Sequence, residues 1–294
     1  MGEVCRVHAM IAEQNNEERK TMGLSFKRYA MLAVACSLFS AVHSVSADAA
    51  LDAALAGAQR SAENRARDAH RHPAETLAFF GIKPDMTVVE IMPGGGWYTE
   101  ILAPYLREKG KLYAAHFPQD TSSAYGKKSI AAFTAKLATA PAVYDRVQLT
   151  PFQPPQQVDI APAGSADAVI TFRNVHNWLA EEGEVAVFKG AFTALKPGGV
   201  FGVVEHRAKP GTTRAQSLDS GYTDEQLVID AATKAGFVLE EKSEVNANAK
   251  DTKDHGKGVW ALPPSYADGD KDKAKYQAIG ESDRMTLRFR KPAK

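Results

Sequence analysis

Short apolar runs alternate along most of this chain with segments whose apolar residues recur at helical spacing. Runs rich in β-branched and aromatic residues predict strands at 87–92, 111–116, 146–150, 166–172, 200–205, 237–245 and 285–290. Helical spacing occupies the intervals 97–106, 122–139, 181–195 and 223–235, and two further helices are predicted within 51–81. Strands that alternate with helices of this length predict a parallel sheet with helices on both faces.

Two segments fall outside this alternation. Residues 151–164 are rich in proline and glycine, which predicts a loop between strands. Residues 246–283 make a connection of about 38 residues, much longer than is usual. Because it leaves the sixth strand at the end where ligands bind in such sheets, we expect it to lie over the pocket. Apolar residues within it favour an ordered cover: Trp260, Leu262, Tyr266, Tyr276 and Ile279.

The N-terminal residues have the order of a secretory signal. Lys27 and Arg28 precede an apolar stretch at 29–42, and the small-residue pattern Val45-Ser46-Ala47 precedes Asp48. The stretch is shorter than the roughly 20 residues of a spanning helix, which favours cleavage over anchoring. An uncleaved anchor and an amphipathic helix are the alternatives. We therefore predict an N-terminal extension and signal at 1–47, export to the periplasm, and a single domain at 48–294.

Composition limits the classes of function. The chain has 294 residues, 44% of them hydrophobic, and a formal net charge of +1. This balance gives no electrostatic reason to expect a nucleic-acid partner, and cleavage of the signal would leave no membrane-inserted segment. The only two cysteines, Cys5 and Cys36, lie in the predicted leader. The exported protein would therefore contain no disulfide, thiolate metal site or cysteine nucleophile.

The most informative motif is the end of the first strand. Val88, Val89 and Ile91 lead through Met92-Pro93 to three consecutive glycines, Gly94–Gly96, and helical spacing resumes at Trp97. Glycines permit backbone angles and close approaches that other residues do not. The free N–H groups of a following helix favour an anionic or polar ligand. The pattern predicts a nucleotide-type binding turn.

Three motifs in sequence order resemble the class I S-adenosylmethionine-dependent methyltransferases. They are Val88–Gly96, Ala166–Phe172 and the Leu-Lys-Pro-Gly-Gly turn with its following strand, Leu195–Glu205. More closely, the chain looks like a bacterial branch of predicted exported methyltransferases. The segments that carry this closer similarity are Arg173–Trp178, Asp251–His255, Gly258–Pro264 and Gly280–Met285.

The resemblance implies a Rossmann-like, seven-stranded sheet whose last strand is antiparallel, with S-adenosylmethionine over the first, second and fourth strands. At positions that match the family motifs, it implies cofactor contacts from Glu90, Met92, Pro93, Gly94, Gly95, Gly96, Trp97, His116, Phe117, Arg173 and Asn174. The chain departs from the family at two places. Met92-Pro93 replaces the first glycine and its neighbour, and His116 stands where an acid usually accepts hydrogen bonds from the ribose hydroxyls.

Methyl transfer to a hydroxyl or a protonated amine requires a base. The candidates are His176 beyond the fourth strand, His206 at the end of the fifth, and His255 in the late segment. Each has a structural alternative: a hydrogen bond within the loop for His176, pairing with a neighbouring carboxylate for His206, and a solvated loop for His255. Because no recognised ligand spacing joins them, no metal site is predicted. The polar segment 67–73, with His70 and His72, is predicted to be a solvated helix end.

The resulting hypothesis is methyl transfer from S-adenosylmethionine to a small-molecule acceptor. An exported ligand-binding or sensing domain without catalytic activity is the main alternative, favoured by the two departures and by the signal. A nicotinamide dinucleotide enzyme is less favoured, because Thr99 occupies the third glycine position and no acid follows at the required distance. The sequence identifies neither the acceptor nor the oligomeric state.

Overall fold

The computed structural model describes residues 48–293, and the predicted secretory signal lies outside them. The compact unit to which these residues belong begins at Asp48. The side chain of Asp48 caps the first helix by accepting hydrogen bonds from the backbone N–H groups of Ala50 and Leu51. It also accepts a hydrogen bond from the hydroxyl of Tyr105. The first described residue is therefore bonded into the folded unit.

Seven strands form a single sheet in the order β3-β2-β1-β4-β5-β7-β6. β7 is antiparallel to both of its neighbours, and the other pairs are parallel. This confirms the predicted fold class, including the antiparallel last strand. The strands are β1 Thr87–Ile91, β2 Lys111–His116, β3 Gln148–Pro151, β4 Ala166–Phe172, β5 Leu195–His206, β6 Val238–Ser243 and β7 Arg284–Arg290.

Helices cover both faces of the sheet. Among the described residues they are α1 Ala49–Ala56, α2 Ala62–Ala66, α3 Asp68–Arg71, α4 Pro73–Phe79, α5 Thr99–Leu106, α6 Ala124–Thr139, α7 Pro141–Tyr144, α8 Val175–Trp178, α9 Gly183–Ala194, α10 Arg214–Ser220, α11 Glu225–Ala235 and α12 Lys273–Ile279. Short 3₁₀ turns lie at Ala180–Glu182 and Gly258–Ala261.

Two hydrophobic cores follow from the alternation of side chains along the strands. Val88 points to the face covered by the N-terminal helices and α5, where Leu77 and Ile101 pack. Val89 and Ile91 point to the opposite face, covered by α9 and α11. Glu90 shares the face of Val88 and is therefore a carboxyl group directed into an apolar layer.

Most predicted elements differ from the observed ones only at their ends, but three differences are larger. The N-terminal region forms four short helices rather than two, because His72 adopts a left-handed backbone with φ 41° and Pro73 starts a new helix. β5 begins at Leu195, since that residue already pairs with Ala166. The late segment 246–283 contains a 3₁₀ turn and α12 rather than one irregular loop.

Buried polar groups attach this late segment to the sheet. The side-chain amide of Asn246 donates to the hydroxyls of Thr76 (3.0 Å) and Thr286 (2.9 Å). The carboxylate of Asp251 accepts from the hydroxyl of Tyr222 and from the backbone N–H of Asp283, at 2.9 and 2.8 Å. The segment is therefore bonded to both α4 and β7.

The parallel arrangement brings the carboxyl ends of β1, β2, β4 and β5 to one edge of the sheet. Because β7 runs in the opposite direction, its first residue reaches the same edge, where Arg284 pairs with His206. Ligands of open α/β sheets bind at this edge, beside the point where the strand order reverses. Here that point lies between β1 and β4. In residues 48–293, no helix has both the length and the apolar character needed to cross a membrane.

Candidate functional site

The glycine loop after β1 is tightly turned and open. Met92 has φ 51° and donates its backbone N–H to the carbonyl of Ala115 at 2.8 Å, and Gly96 N–H donates to the carbonyl of Pro93 at 2.9 Å. A Cβ atom added to Gly94 or Gly95 would meet no other heavy atom within 4 Å. The backbone therefore borders open space in which a ligand can approach it closely.

The side chain of Asn174 fixes the start of this loop. Its amide nitrogen donates to the carbonyls of Ile91 and Met92 at 3.1 and 3.2 Å, and to the hydroxyl of Thr171 at 3.1 Å. The amide thus joins the ends of β1 and β4 across the reversal point. Asn174 therefore stabilises the loop by bonding to the backbone at Met92.

Glu90 supports the loop from the apolar layer. Its carboxyl is buried and accepts a hydrogen bond of 2.6 Å from the hydroxyl of Thr99, in the first turn of α5. Burial raises the pKa of Glu90 to about 7, although the Thr99 hydroxyl opposes this shift. The bond joins the end of β1 to the helix that follows the glycines.

His116 is buried at the end of β2 and uses its hydrogen-bonding groups internally. The N–H of Phe117 donates to Nδ1 at 2.8 Å, and Nε2 lies 3.5 Å from the hydroxyl of Ser129. Burial lowers the pKa of His116, so the ring is neutral and its single acceptor is already occupied. It therefore does not reproduce the pair of acceptors that the usual acid offers. His116 and Phe117 line a cavity of ≈ 450 Å³, together with Ile130 and Leu149.

Trp97 is held between two cations. The guanidinium carbons of Arg60 and Arg71 lie 5.1 and 4.7 Å from the centre of its ring. The indole N–H donates to the carbonyl of Asn64 at 3.1 Å. The residue that ends the glycine loop is thus packed against the N-terminal helices.

His176 forms a dyad with Glu205. Its Nδ1 lies 3.0 Å from Oε1 of Glu205, a carboxylate with no exposed surface, and its backbone N–H lies 3.3 Å from Oε2. Glu205 also accepts from the N–H of His206 at 2.7 Å. Because a carboxylate accepts, Nδ1 carries the proton and Nε2 is left as the acceptor. A histidine oriented in this way can act as a general base.

His206 lies beside the dyad, with ring centres 5.3 Å apart. Its Nδ1 is 2.5 Å from the hydroxyl of Ser282. Its pKa is lowered well below the usual value, first by burial and then by repulsion from neighbouring groups that can carry positive charge, His176 and the guanidinium groups of Arg173, Arg284 and Arg71. His206 is therefore neutral at physiological pH.

One potential ligand atom from each of His176, Glu205 and His206 lies within 4.8 Å of the others. Two imidazoles and a carboxylate can bind divalent transition metals. The guanidinium groups that suppress a positive charge on His206 would also oppose a divalent cation. The absence of a metal site therefore stays a prediction.

His255 has a different environment. Its Nε2 lies 2.9 Å from Asp251, and its ring meets Tyr276 edge-on at 5.5 Å. These contacts keep its side chain within the late segment. Trp260 from the same segment is 38% exposed and meets the ring of His176 edge-on at 6.1 Å. Of the aromatic residues predicted to cover the pocket, Trp260 contacts a candidate base.

The polar segment 67–73 is not a solvated helix end throughout, so that prediction was wrong for Arg71. The Arg71 side chain is only 2% exposed, and its Nε lies 3.0 Å from Glu281 Oε2. Arg67 and Arg284 contact the same carboxylate, at 2.7 and 3.1 Å. The alternation of histidine and arginine gave no signal of this burial, because the partner lies more than 200 residues away.

The predicted cofactor positions thus surround one edge of the sheet. The glycine loop is open, Asn174 and Glu90 support it, and His116 and Phe117 line a cavity after the neighbouring strand β2. The side chain of Arg173 makes no hydrogen bond with any residue in 48–293, and its backbone is left-handed with φ 60°. Two of the predicted bases, His176 and His206, lie together, whereas His255 bonds elsewhere.

Two solved structures of methyltransferases are similar to this chain in fold. One from Aquifex aeolicus aligns over 77% of this chain and 93% of its own, with 15% identity and a TM-score of 0.51. A proposed sarcosine dimethylglycine methyltransferase from Galdieria sulphuraria aligns over 80% and 89%, with 13% identity and a TM-score of 0.51. This chain has the class I methyltransferase fold. No protein-family profile and no curated protein sequence matches it. At these identities the likeness concerns the fold alone.

Glu90 gives a test of the site's electrostatics. Since its native pKa of about 7 exceeds the value of 4.5 for an unperturbed glutamate, the native state keeps a proton that the unfolded chain releases. The free energy of unfolding should therefore fall by up to about 3 kcal/mol between pH 4.5 and 7 through this group. Glu90→Gln should abolish that contribution, measured as the difference between urea unfolding at pH 5 and at pH 8.

The control is Glu108→Gln, which changes an exposed glutamate. Its unfolding free energy should follow that of the wild type at both pH values. If Glu90→Gln retained the full wild-type pH dependence, the pKa assigned to Glu90 would be wrong.

Proposed function

We propose that this protein transfers the methyl group of S-adenosylmethionine to a small-molecule acceptor. The observation that carries the proposal is the open glycine loop at the reversal point, beside the His176–Glu205 dyad. The class I fold supports it, because solved structures similar to this chain include an S-adenosylmethionine-dependent methyltransferase and a proposed sarcosine dimethylglycine methyltransferase. The acceptor class is not given by the fold.

The residues present suit a nucleoside cofactor. Gly94 and Gly95 leave space where a side chain would stand, and His116 and Phe117, at the end of the neighbouring strand β2, line a cavity. Bound S-adenosylmethionine would supply an activated methyl group. The protein's task is then mainly to align the acceptor and to exclude water. Trp260, beside His176, is placed to limit the access of water.

His176 is proposed to accept the acceptor's proton at Nε2. Glu205 is a positioning residue, because its carboxylate holds the Nδ1–H group and fixes the ring. His206 is kept neutral by its surroundings, but none of its described contacts orients its ring for a reaction. The proposed roles of His206 and His255 as bases are therefore weaker than that of His176.

One observation favours the alternative of a binding or sensing domain. The acceptor nitrogen of His116 is occupied by Phe117 N–H, so the residue at the ribose position does not offer the usual pair of acceptors. A domain that had lost catalysis would tolerate this change. Binding measurements with S-adenosylmethionine distinguish the two functions, as described below.

Export to the periplasm is also proposed. Its support is the order of basic, apolar and small residues before Asp48, together with the start of the compact unit at that residue. An exported enzyme would need S-adenosylmethionine outside the cytoplasm, so localisation bears directly on the proposed activity.

Gly95→Val tests the cofactor site. The added side chain meets no protein atom within 4 Å of its Cβ, and Gly95 does not need a positive φ, so the fold should be retained. The side chain would fill the space assigned to the cofactor, and affinity for S-adenosylmethionine should fall at least 10-fold by isothermal titration, about 1.4 kcal/mol.

Gly256→Val is the matched control, because Gly256 is equally open and lies in the late segment. Its affinity for S-adenosylmethionine should equal that of the wild type. If the wild-type protein bound neither S-adenosylmethionine nor S-adenosylhomocysteine, the methyltransferase proposal would fail.

His176→Gln tests the proposed base. We expect transfer of label from methyl-tritiated S-adenosylmethionine to extracted bacterial metabolites to fall by roughly 10²-fold or more, because proton removal is lost. Glu205→Gln should lower transfer in the same direction by releasing the ring. The affinity for S-adenosylmethionine should change in neither variant.

His70→Gln serves as the control, since His70 is exposed and lies on α3. Its transfer rate should match the wild type. Wild-type transfer in His176→Gln would exclude His176 as the base, whereas a parallel loss of cofactor affinity would assign it to binding.

N-terminal sequencing of protein from fractionated cells tests export. The periplasmic fraction should contain a chain that begins at Asp48. Ala47→Arg should block cleavage, because signal peptidases require a small residue at that position, and a longer precursor should accumulate. A chain that begins at Met1 or Met22 and is found only in the cytoplasm would contradict export.

A further inference from the structure

A partly buried cluster of positive charge lies at the carboxyl edge of the sheet and has no part in the proposed proton transfer. In the described part of the chain, it consists of Arg67, Arg71, Arg173 and Arg284 around the carboxylate of Glu281. Three of the guanidinium groups contact this carboxylate, and Arg173 is close enough to influence its pKa. We call these five residues the arginine cluster.

Several donors of the arginine cluster are unused. Arg71 donates only through Nε, to Glu281, and its Nη1 and Nη2 are buried without a hydrogen-bond partner. Nη2 of Arg67 is also buried and unpartnered. Arg173 donates no side-chain hydrogen bond to any residue in 48–293. Buried polar groups are otherwise nearly always hydrogen-bonded, so the buried Nη atoms of Arg71 and Arg67 indicate a missing acceptor. Arg173 is only partly buried.

The charges of the arginine cluster are also unbalanced. Burial and repulsion from neighbouring guanidinium groups lower the pKa of Arg71 to about 9 and that of Arg173 to about 10. Burial alone would raise the pKa of Glu281, but the charges of Arg71 and Arg284 lower it instead. One buried carboxylate thus faces four guanidinium groups. Unpaired buried charge is costly, and a bound anion would offset it.

The position of the arginine cluster relates it to the candidate active site. The guanidinium of Arg71 stacks on Trp97, which ends the glycine loop. Arg173 follows β4 directly, and Arg284 pairs in register with His206, the neighbour of His176. The cluster therefore lies between the proposed cofactor loop and the proposed base.

We propose that Arg71 and Arg173 bind a carboxylate, or a similar oxyanion, carried by the methyl acceptor. This inference rests on the proposed methyltransferase function. The free Nη1 and Nη2 of Arg71 form a planar fork that matches the two oxygens of a carboxylate. Glu281 holds the other edge of the same guanidinium, and Trp97 supports its face, so the fork is fixed before the ligand arrives.

The methionine part of S-adenosylmethionine also carries a carboxylate, so the same chemistry has a second source. The position of the arginine cluster favours the acceptor as the source of the carboxylate. Arg284 starts β7 and pairs with His206, the neighbour of His176, on the side of the reversal point away from β2. Arg173 follows β4, where the family resemblance also implies a cofactor contact. The family resemblance places the cofactor over β1, β2 and β4. The experiment below separates the two sources.

Thermal unfolding with and without an added oxyanion tests the cluster without any cofactor. Acetate and sulfate, compared with chloride at equal ionic strength, should raise the melting temperature of the wild type through binding to the native state. Sulfate also stabilises proteins generally. The decisive quantity is therefore the difference between wild type and variant in the anion-dependent increase of the melting temperature.

Arg173→Gln is the first variant, because its side chain has no described hydrogen bond to lose. Removal of this partly buried charge, which is repelled by the neighbouring guanidinium groups, should raise the melting temperature without anion by roughly 2–4 °C. The anion-dependent increase should be lost. Arg71→Gln should also lose that increase, although its bond to Glu281 makes the variant less stable. Arg290→Gln, at the opposite end of β7 in an exposed pair with Glu240, should retain the wild-type increase.

Titrations with S-adenosylmethionine and with methylthioadenosine, which lacks the amino-acid part, identify the source of the carboxylate. If the cluster serves the acceptor, Arg71→Gln should bind both compounds as the wild type does, because Arg71 is not among the cofactor positions that the family resemblance implies. A 10-fold loss for S-adenosylmethionine alone would assign the cluster to the cofactor and overturn the proposal.

The anion measurement is independent of the proposed function. The wild type could bind no S-adenosylmethionine and still show the Arg173-dependent anion effect. That result would refute the proposed methyl transfer, and it would support an anion site whose ligand is not a methyl acceptor. If anions had the same effect on wild type and Arg173→Gln, and the variant melted at a lower temperature, the cluster would be purely structural and the inference would be refuted.

Discussion

The buried carboxylate of Glu281 holds the N-terminal helices against the last strand of the sheet. It accepts from Arg67 and Arg71, which precede it by 214 and 210 residues, and from Arg284 at the start of β7. A carboxylate and guanidinium groups removed from water must satisfy one another. The position of α3 over the sheet edge, and with it the stacking of Arg71 on Trp97, depends on this contact.

The same edge of the sheet concentrates the other polar groups. Parallel strands deliver Met92, His116, Arg173 and His206 to one side, and the antiparallel β7 adds Arg284. Asn174 fixes the glycine loop from β4, and Glu205 fixes His176 from β5. The loop, the proposed base and the arginine cluster therefore have their positions set by rigid strands.

The electrostatic environment differs between the two sides of this site. Around Glu90 an apolar layer favours the neutral carboxyl, whereas at His206 burial, reinforced by several guanidinium groups, favours the neutral imidazole. The arginine cluster retains an excess of positive charge, which suits an anion and opposes a metal cation. The proposed site is therefore uncharged and apolar beside the cofactor loop and positively charged on the acceptor side.

The sequence by itself indicated an α/β fold, because apolar β-rich runs and the helical period between them depend only on local spacing. The antiparallel last strand was implied by the family resemblance. The sequence also identified the glycine loop and indicated His176 and His206 as candidate bases. The burial of Arg71, its contact with Glu281 and the internal bonding of His116 were decided only by tertiary structure. These contacts join residues distant in the chain, and no local pattern records which partner a charged side chain will meet.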